Sequence, residues 1–402
     1  MTTTNPTDTP FHRALAGYLL PNGWRLTACP SCGRSYYGKG SPVCGSAWCP
    51  GTTLTTVPAG APHPGPAAQW TRIRRVLETR GLTPFAMPGL RGTARDTDLV
   101  VSALQYLDPV VHQGAPAPAG PMVLAQPCVR WRYLPVAGRE EAVSSSFVNL
   151  SSLEVGGPAL VDRLADHLDL WLDCLSAVGV TARDTTVALS GESCAYGPYA
   201  GFRADLNSGG LEIGEINWYG TVDDTAGREL TVIDCGFAFE RIAWTAPRTD
   251  SYHAMLAPVF LPSGESAGGL PGGVVNDRVR TLALLSLSGV TPGSRGPRRY
   301  VRQLADELAV PFLAGVNLPS ALEHAVRFWR QFTPPAAVGD TEAVELAVAA
   351  VERRATAQLA RALQQPEPPV RLPFAEAAEL LAARSGGRPA VRRAVDALTV
   401  AS

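Results

Sequence analysis

The chain has 402 residues, of which 46% are hydrophobic and 18% are charged, and its formal net charge is −1. Two or three domains fit this length, and the small net charge excludes a global field that attracts nucleic acid, so any RNA or phosphate binding must be local. No apolar run reaches the about 18 residues of a membrane span, and the N-terminal MTTTNPTDTP lacks the pattern of a secretory signal. We expect a cytoplasmic protein that makes no membrane contact.

The basic residues are almost all arginines: of 35 Lys plus Arg, only Lys39 is a lysine. This excludes a P-loop, which needs GxxxxGK[ST], and makes a core Schiff-base lysine implausible. A high-GC genome that prefers arginine codons explains the bias itself. If the protein uses ATP, arginines must hold the phosphates.

The first feature in chain order is a pair of cysteine knuckles, CPSC and CGSAWC, formed by Cys29, Cys32, Cys44 and Cys49. In a cytosolic chain this spacing predicts a tetrahedral zinc site. Four thiolates leave no open position for water, so the zinc would be structural. A redox pair is the alternative, but it leaves the second knuckle unexplained. The four other cysteines are predicted to be small buried apolar residues.

A Pro- and Gly-rich stretch at 57–69 is predicted to be a linker that separates a cysteine module at 1–56 from the rest. The next elements are expected to be an amphipathic helix at 70–81, a strand at 122–134, its antiparallel return at 144–155 and a long helix at 157–179.

Further strands are expected at TTVALSG, GGLEIGEINWYG and ELTVIDCG. The fold is therefore predicted to be α+β, with an antiparallel sheet flanked by helices over 70–275. After this point the pattern is helical, and 276–402 is predicted to be an all-helical domain. Its segment 278–302 holds six arginines and no acidic residue, which indicates either a phosphate or RNA surface or a solvated basic face.

The stretch VIDCGFAFERIAW, at 232–244, passes from a strand to a helix. A carboxylate at Asp234 suits an ammonium group, and a guanidinium at Arg241 suits a polyphosphate. The alternative is a buried structural ion pair.

Two stretches resemble motifs of the class II aminoacyl-tRNA synthetases. QPCVRWRYLPVAGREEAVSSSFVNL resembles their motif 2, and GFAFERIAW resembles motif 3. The closer resemblance is to alanyl-tRNA synthetase, whose CxR…HHTFFEML, GPCGPCxEIxYD, LEIWNxVFxQ and VDTGMGLERIA are similar to successive stretches of this chain. DRVRTLALLSLSGVTPGSRGPRRYVRQL is similar to a helical segment of the same family. The resemblance covers about residues 70–310.

The resemblance implies catalysis without a protein nucleophile. Arg130 would hold the α-phosphate of ATP, and Arg241 the outer phosphates and adenine, with Mg²⁺ sharing the charge. Phe147 would stack under adenine, unless it is a core residue. The residues implied to bind ATP are Arg130, Arg139, Phe147, Glu240 and Arg241, and those implied to bind the amino acid are Asp234, Asn217 and Gly236.

The chain departs from the family pattern where adenine and the amino acid would bind. Ser144 and Ser145 replace the histidine pair, Asn149 replaces a glutamate, and Gly214 replaces a tryptophan. The side chain selected is therefore expected to be that of alanine or another small residue. A metal-binding editing domain is expected to be absent.

Three functions follow from these patterns. The first is activation of L-alanine or a similar small amino acid by ATP and its transfer to a small-molecule acceptor in specialised metabolism. The second is tRNA aminoacylation by a minimal alanyl-tRNA synthetase, or tRNA-dependent aminoacyl transfer. The third is a non-catalytic regulator that binds ATP or tRNA without releasing pyrophosphate.

Overall fold

In the computed structural model, nine strands among the described residues form one antiparallel sheet. The described residues are 9–53, 65–90, 97–130, 144–190, 193–245, 266–267, 270–333, 338–369 and 372–400. The strands are β1 (Arg25–Ala28), β2 (Ser35–Gly38), β3 (Met122–Val129), β4 (Ser146–Gly156), β5 (Thr185–Leu189), β6 (Cys194–Tyr196), β7 (Tyr199–Ser208), β8 (Leu211–Val222) and β9 (Thr231–Ala238). Their order is β1-β2-β5-β7-β8-β9-β4-β3, with β6 paired to β7.

Helices flank this sheet and follow it in the chain. They are α1 (Pro10–Leu19), α2 (Pro66–Thr79), α3 (Asp108–Gln113), α4 (Leu164–Ala177), α5 (Phe239–Thr245), α6 (Gly272–Leu287), α7 (Pro297–Leu313), α8 (Leu318–Trp329), α9 (Asp340–Ala362), α10 (Phe374–Ser385) and α11 (Arg388–Val400). Short 3₁₀ turns span Ala103–Leu107 and Pro158–Arg163, and a small hairpin joins β10 (Ser266–Ala267) to β11 (Leu270–Pro271). The predicted α+β fold is confirmed. Within the described part of the chain, no helix is both long enough and apolar enough to span a membrane.

Strand alternation gives the sheet two different faces. On β9, Ile233, Cys235 and Phe237 belong to the main apolar core, together with residues of α1, α2 and α4. The ring of Trp171 on α4 lies 4.5 Å from that of Phe237. We call this side the helix face. Asp234 and Gly236 alternate with these residues and therefore lie on the opposite side, which we call the open face.

Among the described residues, one end of the open face is covered by other elements. There, the 3₁₀ turn Ala103–Leu107 and helix α3 pack on Leu153, Tyr219 and Val232 in a second apolar cluster. The segment is tied to the sheet by Asn149, whose Oδ1 accepts a hydrogen bond of 2.8 Å from the backbone N–H of Ala103. The neighbouring part of the open face carries polar and charged side chains.

The cysteine segment, which is the described part of the predicted module at 1–56, adds strands β1 and β2 to one edge of the sheet. Strand β2 pairs with β5, with Tyr36 opposite Ala188, and the α1 residue Tyr18 donates a hydrogen bond of 2.8 Å to Asp169 on α4. Helix α2 begins at Pro66, inside the expected linker. The domain boundaries stay a prediction, but the sheet runs across the expected division because two strands of the cysteine segment extend its edge.

The C-terminal helices are attached to the sheet through polar contacts. Backbone N–H and Oγ of Ser145 donate to the two carboxylate oxygens of Asp277 on α6, at 2.6 and 2.7 Å. Arg280, also on α6, forms a buried ion pair of 2.7 Å with Glu240 on α5. These contacts join the start of β4 and the end of β9 to the same helix.

Candidate active site

The centre of the open face is built from paired residues of β7, β8 and β9. Asn217 lies directly opposite Asp234, and Glu215 lies opposite Gly236. On the other side of β8, Arg203 is paired with Asn217. Directly opposed residues of antiparallel strands have Cβ atoms about 5 Å apart on the same face, so these five residues form one polar patch.

Asp234 is a buried carboxylate with a strongly perturbed titration. Only 4% of the residue is exposed, and it accepts a hydrogen bond of 2.6 Å from Ser151 Oγ. Burial raises the pKa of Asp234 to about 7, Glu215 adds to the rise, and Ser151, Arg130 and Asn217 lower it. A cation placed at this carboxylate would stabilise its ionised form.

Asn217 is the buried neighbour of this carboxylate, with 1% of its surface exposed. A hydrogen bond from its side chain lowers the pKa of Asp234, but the geometry of this contact leaves Nδ2 without a well-formed partner among the described residues. Buried donors in folded proteins usually have a well-formed partner. A bound acceptor group would satisfy Nδ2.

Gly236 leaves the surface beside Asp234 without a side chain. A Cβ atom added there would lie 3.4 Å from Asn149 Nδ2 and 3.7 Å from Asp234 Oδ1. Gly214 makes room for a core side chain on the helix face, because a Cβ atom added to it would lie 2.3 Å from the ring of Phe237. A tryptophan at this position would therefore collide with the core.

Arg130 lies just beyond the end of β3. Its Nε donates a hydrogen bond of 2.9 Å to the carbonyl of Val101, and its guanidinium carbon lies 4.8 Å from the centre of the Phe147 ring. It is also near enough to Asp234 to lower the pKa of that carboxyl. The structure thus brings Arg130, Phe147 and Asp234 together, with the guanidinium over one face of the phenyl ring.

Arg241 reaches the same patch from α5. Its Nη1 donates a hydrogen bond of 2.9 Å to the carbonyl of Glu212. Glu212 in turn is 3.2 Å from Arg203, and Arg203 is 2.7 Å from Glu215. Desolvation raises the pKa of Glu212, and the charge of Arg241 offsets part of that rise. Glu215 is near enough to Asp234 to raise the pKa of that carboxyl.

Glu240 does not join this patch. It is fully buried, accepts a hydrogen bond of 2.9 Å from the backbone N–H of Val148, and pairs with Arg280 at 2.7 Å. Successive helical residues point about 100° apart, so Glu240 faces β4 and α6 while Arg241 faces the open side of the sheet. Arg139 lies outside the described residues.

Several charged residues of the patch were missed from the sequence. Arg203 forms ion pairs with Asp205 at 2.6 Å, with Glu215 at 2.7 Å and with Glu212 at 3.2 Å. The available signal was the alternation of Arg203 and Asp205 with apolar residues in FRAD, and of Glu215 and Asn217 with Gly214 and Ile216, which places every second residue on one face of a strand. Glu212 lies three positions before Glu215, beside an irregularity in the strand register, and does not follow this alternation.

The four predicted metal ligands converge. All four Sγ atoms lie within 4.8 Å of one another, and no other cluster of three or more metal-binding side chains occurs among the described residues. The Cys29–Cys49 and Cys32–Cys44 sulfur distances are 3.6 and 3.7 Å. A tetrahedron with Zn–S bonds of about 2.3 Å has edges of about 3.8 Å, so the donor set and its spacing fit a structural zinc ion.

Cys29 is prepared to bind as a thiolate. Burial opposes its ionisation, but hydrogen bonds from the backbone N–H groups of Cys44, Ser31 and Cys32 bring the pKa of Cys29 down to about 6. Metal binding requires deprotonated cysteine. The backbone of the two knuckles therefore favours the ligand form.

Comparison with known proteins finds relatives of one kind. The chain is 22% identical over 328 residues to the alanine–tRNA ligase of Archaeoglobus fulgidus, covering 75% of this chain and 36% of the relative. It is 23% identical over 294 residues to that of Methanoregula boonei, covering 66% of this chain and 31% of the relative. The chain thus spans about a third of the length of these relatives. No family model matches.

Among solved structures, a pyrrolysyl-tRNA synthetase from Desulfitobacterium hafniense aligns with a TM-score of 0.37 and 16% identity. The alignment covers 52% of this chain and 76% of that chain.

Proposed function

Because the chain is a distant relative of the alanyl-tRNA synthetases, we propose that it activates L-alanine or a similar small amino acid with ATP. One observation supports the proposal: a buried carboxylate, Asp234, lies directly opposite the buried amide of Asn217, and the positive charge of Arg130 is near enough to lower its pKa. An α-amino acid needs an anion and a hydrogen-bond donor, and a triphosphate needs a cation. All three lie on the same face of the sheet.

In the proposed reaction Asp234 holds the substrate ammonium, and Asn217 Nδ2 donates to the substrate carboxylate. A carboxylate oxygen attacks the α-phosphorus of ATP, the bond to the β-phosphate oxygen breaks, and pyrophosphate leaves. Arg130 stabilises the charge at the α-phosphate and Arg241 the charge of the leaving group. Phe147 offers adenine the ring face that Arg130 does not cover. Glu240 positions α5 through its buried ion pair.

The proposed cofactor is Mg²⁺, which lowers the charge of the triphosphate. Mg²⁺ in such sites usually binds one or two carboxylates together with substrate phosphates and waters. Glu212 and Glu215 are the partly exposed carboxylates of the patch, with 25% and 31% of their side chains accessible. Either could supply one oxygen ligand beside the phosphates.

The proposed second step transfers the aminoacyl group to a small-molecule acceptor. The acceptor's hydroxyl or amine attacks the carbonyl carbon, its proton passes to the departing phosphate or to water, and AMP leaves. In favour of a small acceptor, Arg278 and Arg280 of the basic segment are used in internal contacts with Glu307 and Glu240.

A tRNA acceptor is the second candidate, because the helical part contains a basic groove. The groove has a volume of about 410 Å³ and is lined by the loop at 292–294, by Arg302, Arg353 and Arg354, and by 367–369. Phosphate groups bind to clustered arginines of this kind. Product formation that RNase abolishes would identify RNA as the acceptor, and product formation that RNase leaves intact would identify a small molecule.

The test of amino-acid activation is ATP–pyrophosphate exchange with each small amino acid. We expect exchange with wild-type protein and a loss of about 100-fold or more in Arg130→Ala, the usual effect of removing one preorganised charge-stabilising group. Arg72→Ala, which changes an exposed arginine on α2, is the matched control and should retain full exchange. Absence of exchange in the wild type with every small amino acid would refute the proposal.

A further inference from the structure

One side chain of the cysteine segment, that of Arg34, contacts the charged residues of the open face. Arg34 Nη1 lies 3.0 Å from Asp205 Oδ2 on β7. Asp205 Oδ1 lies 2.6 Å from Arg203 Nε, and Arg203 Nη1 lies 2.7 Å from Glu215 Oε2 on β8. Four groups of alternating charge thus run from the cysteine segment across two strands.

The strand register shows where this line of charges ends. Asp205 is paired with Glu215, and Glu215 is paired with Gly236, next but one to Asp234. Neighbouring strands are about 4.8 Å apart, so Asp205 and Gly236 are separated by about 10 Å across the sheet. Arg203 is paired with Asn217, the residue opposite Asp234, so Arg203 and Asp234 are likewise about 10 Å apart across the sheet. We place the side chain of a bound small amino acid between these two residues.

Arg34 is held in place by both knuckles. Its carbonyl accepts a hydrogen bond of 2.9 Å from the backbone N–H of Cys29, and its guanidinium contacts Ser46 Oγ at 3.5 Å. Ser46 lies between Cys44 and Cys49. The position of the guanidinium therefore depends on the arrangement of the four cysteines.

Arg34 changes how the positive charge of Arg203 is distributed among its partners. Arg203 forms ion pairs with three carboxylates, those of Asp205, Glu212 and Glu215. With Arg34 present, Asp205 has a second cation. The Arg203 guanidinium then does not have to neutralise Asp205 by itself. It can stay extended towards Glu215, on the open face beside Asp234.

We propose that Arg34 is a positioning residue for the amino-acid end of the candidate active site: it holds Arg203 in a position where the Arg203 side chain excludes substrates with a large side chain. This inference rests on the proposed amino-acid activation. The cysteine segment then contributes to substrate selection as well as to the edge of the sheet, and its metal stabilises the knuckles that carry Arg34.

The experiment compares Arg34→Ala and Arg34→Lys with the wild type in pyrophosphate exchange. In Arg34→Ala we expect the KM for the preferred small amino acid to rise about two- to fivefold, the range for a partly exposed ion pair. The KM for ATP should stay unchanged. The preference for this amino acid over a larger one, such as valine, should fall by a similar factor, and Arg34→Lys should restore part of both losses because it keeps the charge.

Arg25→Ala is the matched control, because it removes an exposed arginine from β1 in the same segment, and zinc content is measured for every variant. If Arg34→Ala does not fold, Asp205→Asn replaces it, because Asp205→Asn removes the carboxylate partner of the same Arg34–Asp205 ion pair. Exchange in the wild type with no KM change in these variants, or equal changes in both KM values, would overturn the inference. No exchange in the wild type would instead refute the proposed function, and the inference with it.

Discussion

At the scale of single residues, Asp234 is the most unusual group of the molecule. Burying a carboxylate without a compensating cation is costly, and the folded protein responds by binding a proton more tightly. Ser151, Asn217 and Arg130 offset part of this cost. The remaining cost is consistent with the proposed role of Asp234, because a bound ammonium group would stabilise its ionised form.

Asp234 makes the stability of the protein depend on pH. An aspartate in an unfolded chain has a pKa of about 3.9, whereas burial raises the pKa of Asp234 to about 7 in the folded protein. Between these values the folded state binds more protons than the unfolded state, so this residue lowers stability as pH rises from about 4 to about 7. We expect Asp234→Asn to match the wild type near pH 4 and to exceed it at pH 8 by roughly 1 to 4 kcal/mol.

Urea unfolding of both proteins at several pH values measures this difference. Asp184→Asn, at an exposed loop position, is the control for a general effect of removing one carboxylate. Parallel stability curves for wild type and Asp234→Asn would contradict the raised pKa.

At the scale of elements, helix α5 is fixed by a buried ion pair. Glu240 and Arg280 have 0% and 2% of their side chains exposed, and the guanidinium also lies 4.5 Å from the ring centre of Phe328. Their contact joins the helix that carries Arg241 to α6. The candidate active site is therefore attached to the C-terminal helices by an ion pair inside the core.

Breaking this pair is expected to be costly because it leaves one charge buried without its partner. We predict that Glu240→Gln and Arg280→Met each lower the free energy of unfolding by about 3 kcal/mol or more, and that the double variant loses less than the sum of the two. Glu345→Gln, at an exposed position on α9, should have almost no effect. Additive losses in a denaturant-based double-mutant cycle would contradict direct pairing.

At the scale of the whole molecule, the cysteine segment is part of the central sheet. Strand β2 is hydrogen-bonded to β5, and Thr186 Oγ1 donates to the carbonyl of Cys44 at 2.5 Å. Cys29, Cys44 and Cys49 pack with Tyr36 and Ala188 in one cluster. A change at the metal site should therefore be felt through the edge of the sheet.

Loss of a metal ligand is predicted to destabilise the whole chain. Cys44→Ser should bind less zinc than the wild type and melt at least about 5 °C lower, in the same single transition, because β2 is hydrogen-bonded to β5 and the cysteine cluster packs against Ala188 of that strand. Cys194→Ser, outside the cluster, should keep both zinc and melting temperature. Metal analysis and calorimetry measure the two effects. A separate low-temperature transition would show instead that the cysteine segment unfolds on its own.

Much of the fold could be predicted because its signals are local. Strand-like apolar runs predicted strands at 122–134, 144–155 and 229–236, and the structure has strands at Met122–Val129, Ser146–Gly156 and Thr231–Ala238. The strand-to-helix change at Asp234–Arg241 was predicted from one stretch. Strand β7 was not predicted. Arg203 and Asp205 alternate with apolar residues there, but the same stretch was interpreted as a turn and as part of a family motif.

The sequence by itself determined the α+β class, the four-cysteine cluster and the relationship to the alanyl-tRNA synthetases. Each depends on residues close together in the chain or on motifs in order. Only the tertiary structure decided that Glu240 pairs with Arg280, and that Arg34 pairs with Asp205, 171 positions away in the chain. The physical reason is that a local pattern fixes which face a side chain occupies, whereas its partner depends on which strand or helix packs against that face.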